Sequence, residues 1–174
     1  MKIREELDII IEKHPHAESL NKKLIEEHKR SENNVGNYYT NVIGKKTFAS
    51  DRSSSSPVRL VEKWAEDILR GIYTNPTIKN EKVTYETSSW FALYNEGDYA
   101  KVHNHIPFSL FSFVYFLNSP KGSSPLVFTT SGKKIKAEAG KIVVFPSNVM
   151  HHVPKNKCKD RIVFAGNIKV ISLG

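Results

Sequence analysis

Short apolar runs dominate the chain from Val83 onward, each bounded by Gly, Pro, Asn or Ser. They lie at 83–94, 99–105, 109–118, 125–130, 133–138, 141–145, 149–153 and 161–172. Eight short strands at regular spacing are typical of a barrel or a sandwich of two sheets. The C-terminal half therefore predicts a mainly β architecture.

The N-terminal part has helical periodicity instead. Helix is predicted over 4–30 because apolar residues recur at helical spacing, at Leu7, Ile10 and Ile11 and again at Leu20, Leu24 and Ile25. We expect His14-Pro15-His16 to divide this region into two helices, since a proline disfavours helix at the residue before it.

A further helix is predicted from Ser56-Pro57, a serine N-cap followed by proline at the first helical position. Its apolar stripe is Leu60, Trp64, Ile68 and Ile72. Residues 31–55 are polar and turn-rich, and only 38–43 resemble a strand. We therefore expect one domain over 1–174, in which helices from about 1–80 buttress a β core over about 83–172.

Composition narrows the class of protein. Hydrophobic content of 39% and charged content of 25% are ordinary for a globular domain. No apolar run reaches the roughly 18 residues of a membrane helix, and the charged start argues against a secretory signal. One cysteine, Cys158, excludes an internal disulfide framework and fits a reducing compartment. We expect a cytoplasmic protein that does not enter a membrane.

The net charge is +8, from 26 Lys and Arg against 18 Asp and Glu. Such a balance permits an acidic partner, including nucleic acid. The lysines are scattered and form no run of five like charges, so composition alone does not support a nucleic-acid site.

Two groups of histidines differ in context. We interpret His14, His16 and His28 as surface residues of the helical region. His103-Asn104-His105 lies on a predicted strand, where alternation turns both imidazoles to one face. Such a pair can chelate a metal ion, although many pairs of this kind are surface or core histidines.

A later strand adds further candidates. Residues 140–146 form an apolar run that ends in a turn and leads to His151-His152. A His-x-His pair with one more histidine makes a facial triad with open positions, which suits non-haem iron. Arg161 opens another apolar strand, either as its solvent-exposed end or as a fork that binds a carboxylate.

Residues from about 88 to 168 resemble the phage- and bacterial-type 2-oxoglutarate–Fe(II) oxygenases, relatives of the prolyl 4-hydroxylase-like barrels. The resemblance rests on the order and spacing of these stretches: 89–91, 97–99 followed by 103–105, 112–117, 125–128, 140–147, His151, Val153, Asn156, Arg161 and Asn167. It covers nearly half of the chain.

The resemblance implies a double-stranded β-helix, a jelly roll of the cupin type. It implies Fe(II) on His103, His105 and His151, with 2-oxoglutarate chelating the iron and Arg161 binding its distal carboxylate. Tyr115 is a weaker candidate for the same carboxylate. The implied activity is a dioxygenase, a hydroxylase that consumes dioxygen and 2-oxoglutarate, with ascorbate as a supporting reductant. The prime substrate and the oligomeric state stay open.

The chain departs from the superfamily at two positions. His105 stands where Asp or Glu is usual, which leaves the site one negative charge short. Val163 stands where many members have Ser two residues after the arginine. In the family the third histidine follows the Phe of Phe-Pro-Ser by six residues, which selects His151 over His152.

Two other functions remain compatible with the residues. One is a cupin-like three-histidine dioxygenase that does not use 2-oxoglutarate, in which Arg161 is structural or binds substrate. The other is a barrel that serves as a non-catalytic binding module.

Overall fold

A computed structural model describes residues 7–35, 40–73 and 83–173. Within them lie two helices, α1 (Ala17–Arg30) and α2 (Pro57–Tyr73). The strands are β1 (Ile10–Lys13), β2 (Val42–Ile43), β3 (Lys45–Thr47), β4 (Val83–Tyr94), β5 (Tyr99–His103), β6 (Phe111–Asn118), β7 (Leu126–Phe128), β8 (Lys134–Ile135), β9 (Lys141–Pro146), β10 (His151–Val153) and β11 (Arg161–Leu173). The eight strands predicted after Val83 are confirmed.

The strands form two antiparallel sheets. One has six strands in the order β1-β9-β6-β11-β4-β3, and the other has five in the order β2-β5-β10-β7-β8. From β4 to β11 the chain passes back and forth between the two sheets, as it does in a jelly roll. This is the mainly β architecture predicted from the sequence.

Strand alternation gives the six-stranded sheet two apolar faces. Phe91, Phe113, Ile142 and Phe164 lie on the outer face and pack against Leu24 and the buried residues of α2 in one core. The inner face packs against the five-stranded sheet in a second core, which contains Ala92, Tyr94, Phe116, Val143, Phe145 and Val163. The candidate site lies in this second core, between the two sheets.

The helix predicted for the first residues is wrong over 10–13, where the structure has β1. This strand pairs antiparallel with β9, and Ile10 lies opposite Val144. Ile9, Ile10 and Ile11 are consecutive β-branched residues, which favour strand over helix. The part of the predicted helix at 4–6 lies outside the described residues.

Helix α2 begins at the predicted cap, but its buried face differs from the predicted stripe. Ser56 caps α2, since its Oγ accepts a hydrogen bond from Arg59 N at 3.3 Å. The buried face of α2 is Val58, Val61, Ala65, Ile68 and Leu69, whereas Leu60 and Ile72 are 49% and 39% exposed. Neither helix in the described ranges is long and apolar enough to cross a membrane.

The prediction of a surface position for His28 is also wrong. His28 is 4% exposed, and its ring centroid lies 5.1 Å from that of Phe91. It follows Leu20 and Leu24 at a spacing of four, which places all three on the face of α1 that packs against the sheet. The segment predicted as strand at 38–43 is strand only at Val42–Ile43, and residues 36–39 lie outside the described residues.

Candidate metal centre

The structure brings His103, His105 and His151 together at one end of the inter-sheet core. Each offers a ring nitrogen, and these nitrogens all lie within 4.8 Å of one another. The ring centroids are 5.0 Å apart for His103 and His105, 4.3 Å for His103 and His151, and 5.1 Å for His105 and His151. Three imidazoles that converge on one point can bind a single metal ion.

A bulge in β5 turns His103 inward. In the pairing of β10 with β5, His151 lies opposite His103 and Val153 lies opposite Ala100, so β5 has one residue more than β10 over this interval. Ala100 belongs to the inter-sheet core. Without the extra residue, alternation would turn His103 away from the face that Ala100 occupies. The sequence prediction of a regular strand over 99–105 did not include this bulge.

His105 reaches the cluster from beyond the strand. β5 ends at His103, and the backbone N–H of His105 donates to Ser147 O at 2.9 Å. Ser147 follows β9, so this hydrogen bond ties the loop that carries His105 to the six-stranded sheet. The shared direction of the two histidines therefore depends on a tertiary contact as well as on local strand geometry.

The two adjacent histidines of β10 point to opposite faces. His151 is 4% exposed and packs edge-on against Phe145 at 4.9 Å between ring centroids. His152 turns away from the cluster, and its Nδ1 lies 2.9 Å from Thr129 Oγ1. His151, the histidine six residues after Phe145, is thus the one that lies in the cluster.

Hydrogen bonds to backbone carbonyls fix the tautomers of two of these histidines. His103 Nδ1 donates to Lys101 O at 2.6 Å, and His151 Nδ1 donates to Val149 O at 2.9 Å. A carbonyl oxygen can only accept, so in each neutral ring the proton is on Nδ1 and Nε2 keeps a free lone pair. This is the arrangement in which a histidine is oriented to bind a metal.

Burial keeps the three imidazoles neutral. It lowers the pKa of His105 to about 3, and repulsion by His151, His103 and Lys46 acts in the same direction. It lowers the pKa of His151 to about 4, with a further contribution from His103. The pKa of His103 is lowered as well, chiefly by burial. Neutral imidazoles are the form that coordinates metals.

Arg161 begins β11 on the same face as Val163 and Ala165, and its side chain points into the inter-sheet core. It is 1% exposed, which rules out a position at the solvent end of the strand. Its Nε donates to Ser124 O at 3.0 Å, whereas its Nη1 is buried and has no acceptor among the described residues. A buried guanidinium nitrogen without an acceptor is costly unless an anion binds to it.

Two residues that the sequence analysis did not assign to the site position this arginine. The guanidinium carbon of Arg161 lies 4.7 Å from the ring centroid of Tyr94. Asn156 Oδ1 accepts from Ser124 N at 3.0 Å, and Asn156 Nδ2 donates to Tyr94 O at 3.1 Å. Asn156 therefore fixes both Ser124, which binds Arg161 Nε, and the end of the strand that carries Tyr94.

The structure does not bring Tyr115 to Arg161, as its predicted role at the same carboxylate would require. Tyr115 lies in the outer core, on the helical side of the six-stranded sheet, and its hydroxyl donates to Asn21 Oδ1 at 2.5 Å. Alternation along β6 turns Phe116 inward, where it contacts the guanidinium of Arg161, and turns Tyr115 outward. Tyr94 is the tyrosine beside Arg161.

One cavity connects the histidines with the arginine. His103, His105, His151, Tyr94 and Arg161 all line it, and most of its remaining wall is apolar: Val42, Ala92, Ala100, Leu126, Phe145, Val153, Val163 and Ala165. A candidate metal-binding cluster and an arginine whose Nη1 has no acceptor among the described residues thus line one largely apolar space. A small molecule with two anionic ends could contact both.

No protein-family model matches the sequence, and no curated protein is similar enough to match. Solved structures match in fold. A viral collagen prolyl hydroxylase from Paramecium Bursaria Chlorella virus-1, solved as a complex with 2OG, gives a TM-score of 0.69 at 15% identity, over 94% of this chain and 96% of that one.

Two cellular proteins give similar matches. A prolyl-4-hydroxylase from Pseudomonas putida gives a TM-score of 0.69 at 18% identity, over 94% of this chain and 92% of that one. A prolyl hydroxylase from Trichoplax adhaerens, in complex with a peptide fragment of a hypoxia inducible factor, gives 0.63 at 15% identity, over 91% and 82%. The chain therefore has the fold of the prolyl 4-hydroxylases.

Proposed function

We propose that this protein is an Fe(II)- and 2-oxoglutarate-dependent dioxygenase, a hydroxylase. Iron would bind His103, His105 and His151, and Arg161 would bind the distal carboxylate of 2-oxoglutarate. The fold would be the double-stranded β-helix of this superfamily, with the helices as a buttress in a single domain. The observation that carries the proposal is the buried Nη1 of Arg161, which has no acceptor among the described residues and belongs to a side chain that lines the same cavity as the histidine cluster.

The histidines fit a divalent metal. Their ring nitrogens are within 4.8 Å of one another, and burial disfavours the protonated form of each ring. Two of the rings are held by Nδ1–H donors, which leaves Nε2 for the metal. Three protein nitrogens on one side of an ion leave positions for exchangeable ligands, as in non-haem iron sites.

The arginine fits the co-substrate. A planar guanidinium binds a carboxylate through two parallel hydrogen bonds, and Nη1 has this capacity unused. Ser124 and Tyr94 hold the guanidinium in place, so little side-chain freedom would be lost on binding. The apolar wall between the two ends excludes water and strengthens both electrostatic contacts.

Bound iron would supply dioxygen activation coupled to oxidative decarboxylation of 2-oxoglutarate to succinate and carbon dioxide. The chain's own contribution is orientation: Arg161 fixes one end of the co-substrate and the histidines fix the position of the other. Phe145 packs against His151 and restricts its ring. The protein thus provides geometry and a dry cavity rather than an acid or a base.

The burial of Arg161 favours this function over a three-histidine dioxygenase without 2-oxoglutarate. In such an enzyme Arg161 would be structural or would bind the substrate, and a structural arginine would not be expected to leave a buried Nη1 without an acceptor among the described residues. The neutral, pre-oriented imidazoles also argue against a non-catalytic binding module, because one buried and two half-buried histidines with no such role would be an unfavourable choice for a core.

To test this function, the protein is incubated with Fe(II), ascorbate and 2-oxoglutarate under oxygen, and the succinate formed is measured. Slow 2-oxoglutarate turnover without a prime substrate is expected in the parent and not in His151→Ala or Arg161→Ala. Iron bound tightly without any effect of 2-oxoglutarate on binding or turnover would indicate the three-histidine alternative. Failure to bind iron at all would indicate the binding module.

A further inference from the structure

Lys46 lies on the edge strand of the six-stranded sheet, on the face that lines the site cavity. In the pairing of β3 with β4, Lys46 is opposite Ala92, whose side chain lines the cavity. Residues directly opposite each other in a ladder point to the same face, so Lys46 points towards the inter-sheet layer. Its neighbour Lys45 is opposite Leu93, which packs against the outer core, and therefore points the other way.

Aromatic rings hold the ammonium group of Lys46. Its Nζ lies 4.0 Å from the ring centroid of Trp90 and 5.4 Å from that of Phe48. Trp90 lines the cavity, and its ring centroid is 6.4 Å from that of His105. A lysine held over a tryptophan beside three histidines is a cation placed next to the candidate iron.

No anion balances this charge within the described part of the chain. Lys46 takes part in no ion pair and no side-chain hydrogen bond there, and none of the residues that line the cavity is acidic. Burial lowers the pKa of Lys46, and its charge contributes to the lowered pKa of His103 and His105. Since Trp90 contacts this ammonium group and lies beside His105, the charge of Lys46 is close to the histidine cluster.

The positive charge of Lys46 adds to a candidate site that already lacks negative charge. His105 replaces the carboxylate ligand that is usual at this place in the family, so the three protein ligands are all neutral. The two negative charges of a bound 2-oxoglutarate would balance the two positive charges of Fe(II). The positive charges of Arg161 and Lys46 would then have no counterpart in the site. A site that holds iron and 2-oxoglutarate would therefore attract a further anionic group. Arg161 would already bind 2-oxoglutarate, whereas Lys46 would be free to bind that group.

We propose that Lys46 determines substrate specificity by binding an anionic group of the prime substrate, a carboxylate or a phosphate, at the cavity beside Trp90. The inference rests on the proposed function, since it assigns a substrate class to that site. The role of Lys46 can be tested separately from the proposed function, because binding of an anion to Lys46 can be measured with or without iron.

The experiment uses Trp90 as a reporter. Trp64 and Trp90 are the two tryptophans of the chain, so Trp64→Phe leaves Trp90 as the only source of tryptophan emission. The full chain in this background is titrated with acetate, inorganic phosphate and, as an uncharged counterpart of acetate, acetamide. Titrations are run with Fe(II) and 2-oxoglutarate bound in the absence of oxygen, and again on the metal-free protein.

We expect acetate or phosphate to change Trp90 emission in a saturable way, and acetamide to have no such effect. Lys46→Gln should weaken this response by about tenfold or more, as is typical for loss of a charged hydrogen bond. Lys46→Arg should keep most of it. Lys45→Gln removes the same formal charge from the opposite face of the same strand and should leave the response unchanged.

Stronger binding of acetate than phosphate would assign a carboxylate-bearing substrate, and the reverse a phosphate-bearing one. Three results would overturn the inference: no response in the parent background, equal responses in Lys46→Gln and that background, or equal losses in Lys45→Gln and Lys46→Gln. Failure to bind iron or 2-oxoglutarate would contradict the proposed function, while the metal-free titration would still decide the role of Lys46.

Discussion

His103 and His151 lie directly opposite each other in the pairing of β5 with β10, with ring centroids 4.3 Å apart. They come from parts of the chain separated by two further strands of the five-stranded sheet and by β6 and β9. Their contact places two ligand candidates in one ladder, where the backbone fixes their separation. A metal bound between them would cross-link neighbouring strands.

The ligand set is tested by single alanine substitutions. His103→Ala, His105→Ala and His151→Ala should each abolish or severely weaken Fe(II) binding, because two imidazoles alone hold a first-row metal weakly. His152→Ala is the matched control, since His152 faces Thr129 rather than the cluster, and it should retain the metal. Metal content and Fe(II) affinity are measured. Loss of iron in His152→Ala with retention in His151→Ala would reverse the assignment.

The identity of the second ligand is tested by His105→Asp. This change gives the His-Asp-His set that is commoner in the family the sequence resembles, and it adds a negative charge to the site. We expect Fe(II) to bind at least as tightly as in the parent if the shorter side chain reaches the ion. His105→Asn has nearly the same shape without the charge and is the control. Weaker binding in both variants would show that reach, rather than charge, limits the site.

Arg161→Ala should weaken 2-oxoglutarate binding by about 2–5 kcal/mol, as expected when one partner of a buried charged pair is truncated. Fe(II) binding should persist. Arg161→Lys should recover only part of the loss, because an ammonium group cannot form the planar fork. Calorimetric titration of 2-oxoglutarate into the metal-loaded protein gives the answer. Equal 2-oxoglutarate affinity in Arg161→Ala and the parent would show that Arg161 does not bind the co-substrate.

Tyr115→Phe should leave 2-oxoglutarate affinity unchanged, since Tyr115 lies in the outer core. It should instead lower the free energy of unfolding by about 1 kcal/mol, because Asn21 Oδ1 loses its donor. Denaturant unfolding measures the stability and the same calorimetry measures the affinity. A marked loss of 2-oxoglutarate affinity would restore the original assignment of this residue.

The metal-free protein should lose stability as the pH falls from about 6.5 towards 4. The unfolded chain takes up protons on its histidines near the ordinary value of 6.5, whereas burial holds the pKa of His105 at about 3 and that of His151 at about 4 in the folded state. Protons therefore favour unfolding across this window, and the contribution is fully present only above it. Unfolding at pH 7.5, 5.5 and 4.5 tests this.

The control for this pH dependence is a paired substitution. His105→Gln with His151→Gln removes both buried imidazoles, and the decline in stability between pH 6.5 and 4 should become shallower. His16→Gln changes an exposed histidine and should leave the decline as it is. An equally steep decline in the paired variant would show that other groups control the acid lability of the protein.

Much of the fold could be predicted because the strands after Val83 are short, apolar and separated by turn residues. The error at β1 has a physical cause: over a few residues, Ile10 and Ile11 satisfy helical and extended spacing equally well, and pairing with β9 decides between them. Length and β-branching were the better guides there than periodicity.

The site was predicted less completely, and the misses share a cause. Tyr94 contacts Arg161 and Lys46 contacts Trp90, and each of these partners lies on another strand and lines the cavity. Neither relationship has a signature in local sequence. The bulge in β5 is equally hidden, since an extra residue in one strand is defined only by the register of its partner.

Because the six-stranded sheet has a core on each side, odd and even residue numbers mark different faces of β11 as far as the register shift after Val170. Odd positions such as Arg161, Val163 and Ala165 line the cavity, and even positions such as Ile162 and Phe164 pack towards the helices. Random mutagenesis of this strand should therefore separate into two alternating classes. Substitutions at the odd positions would change ligand affinity first, and those at the even positions would lower the melting temperature first, so a single scan of one strand could map both properties of the protein.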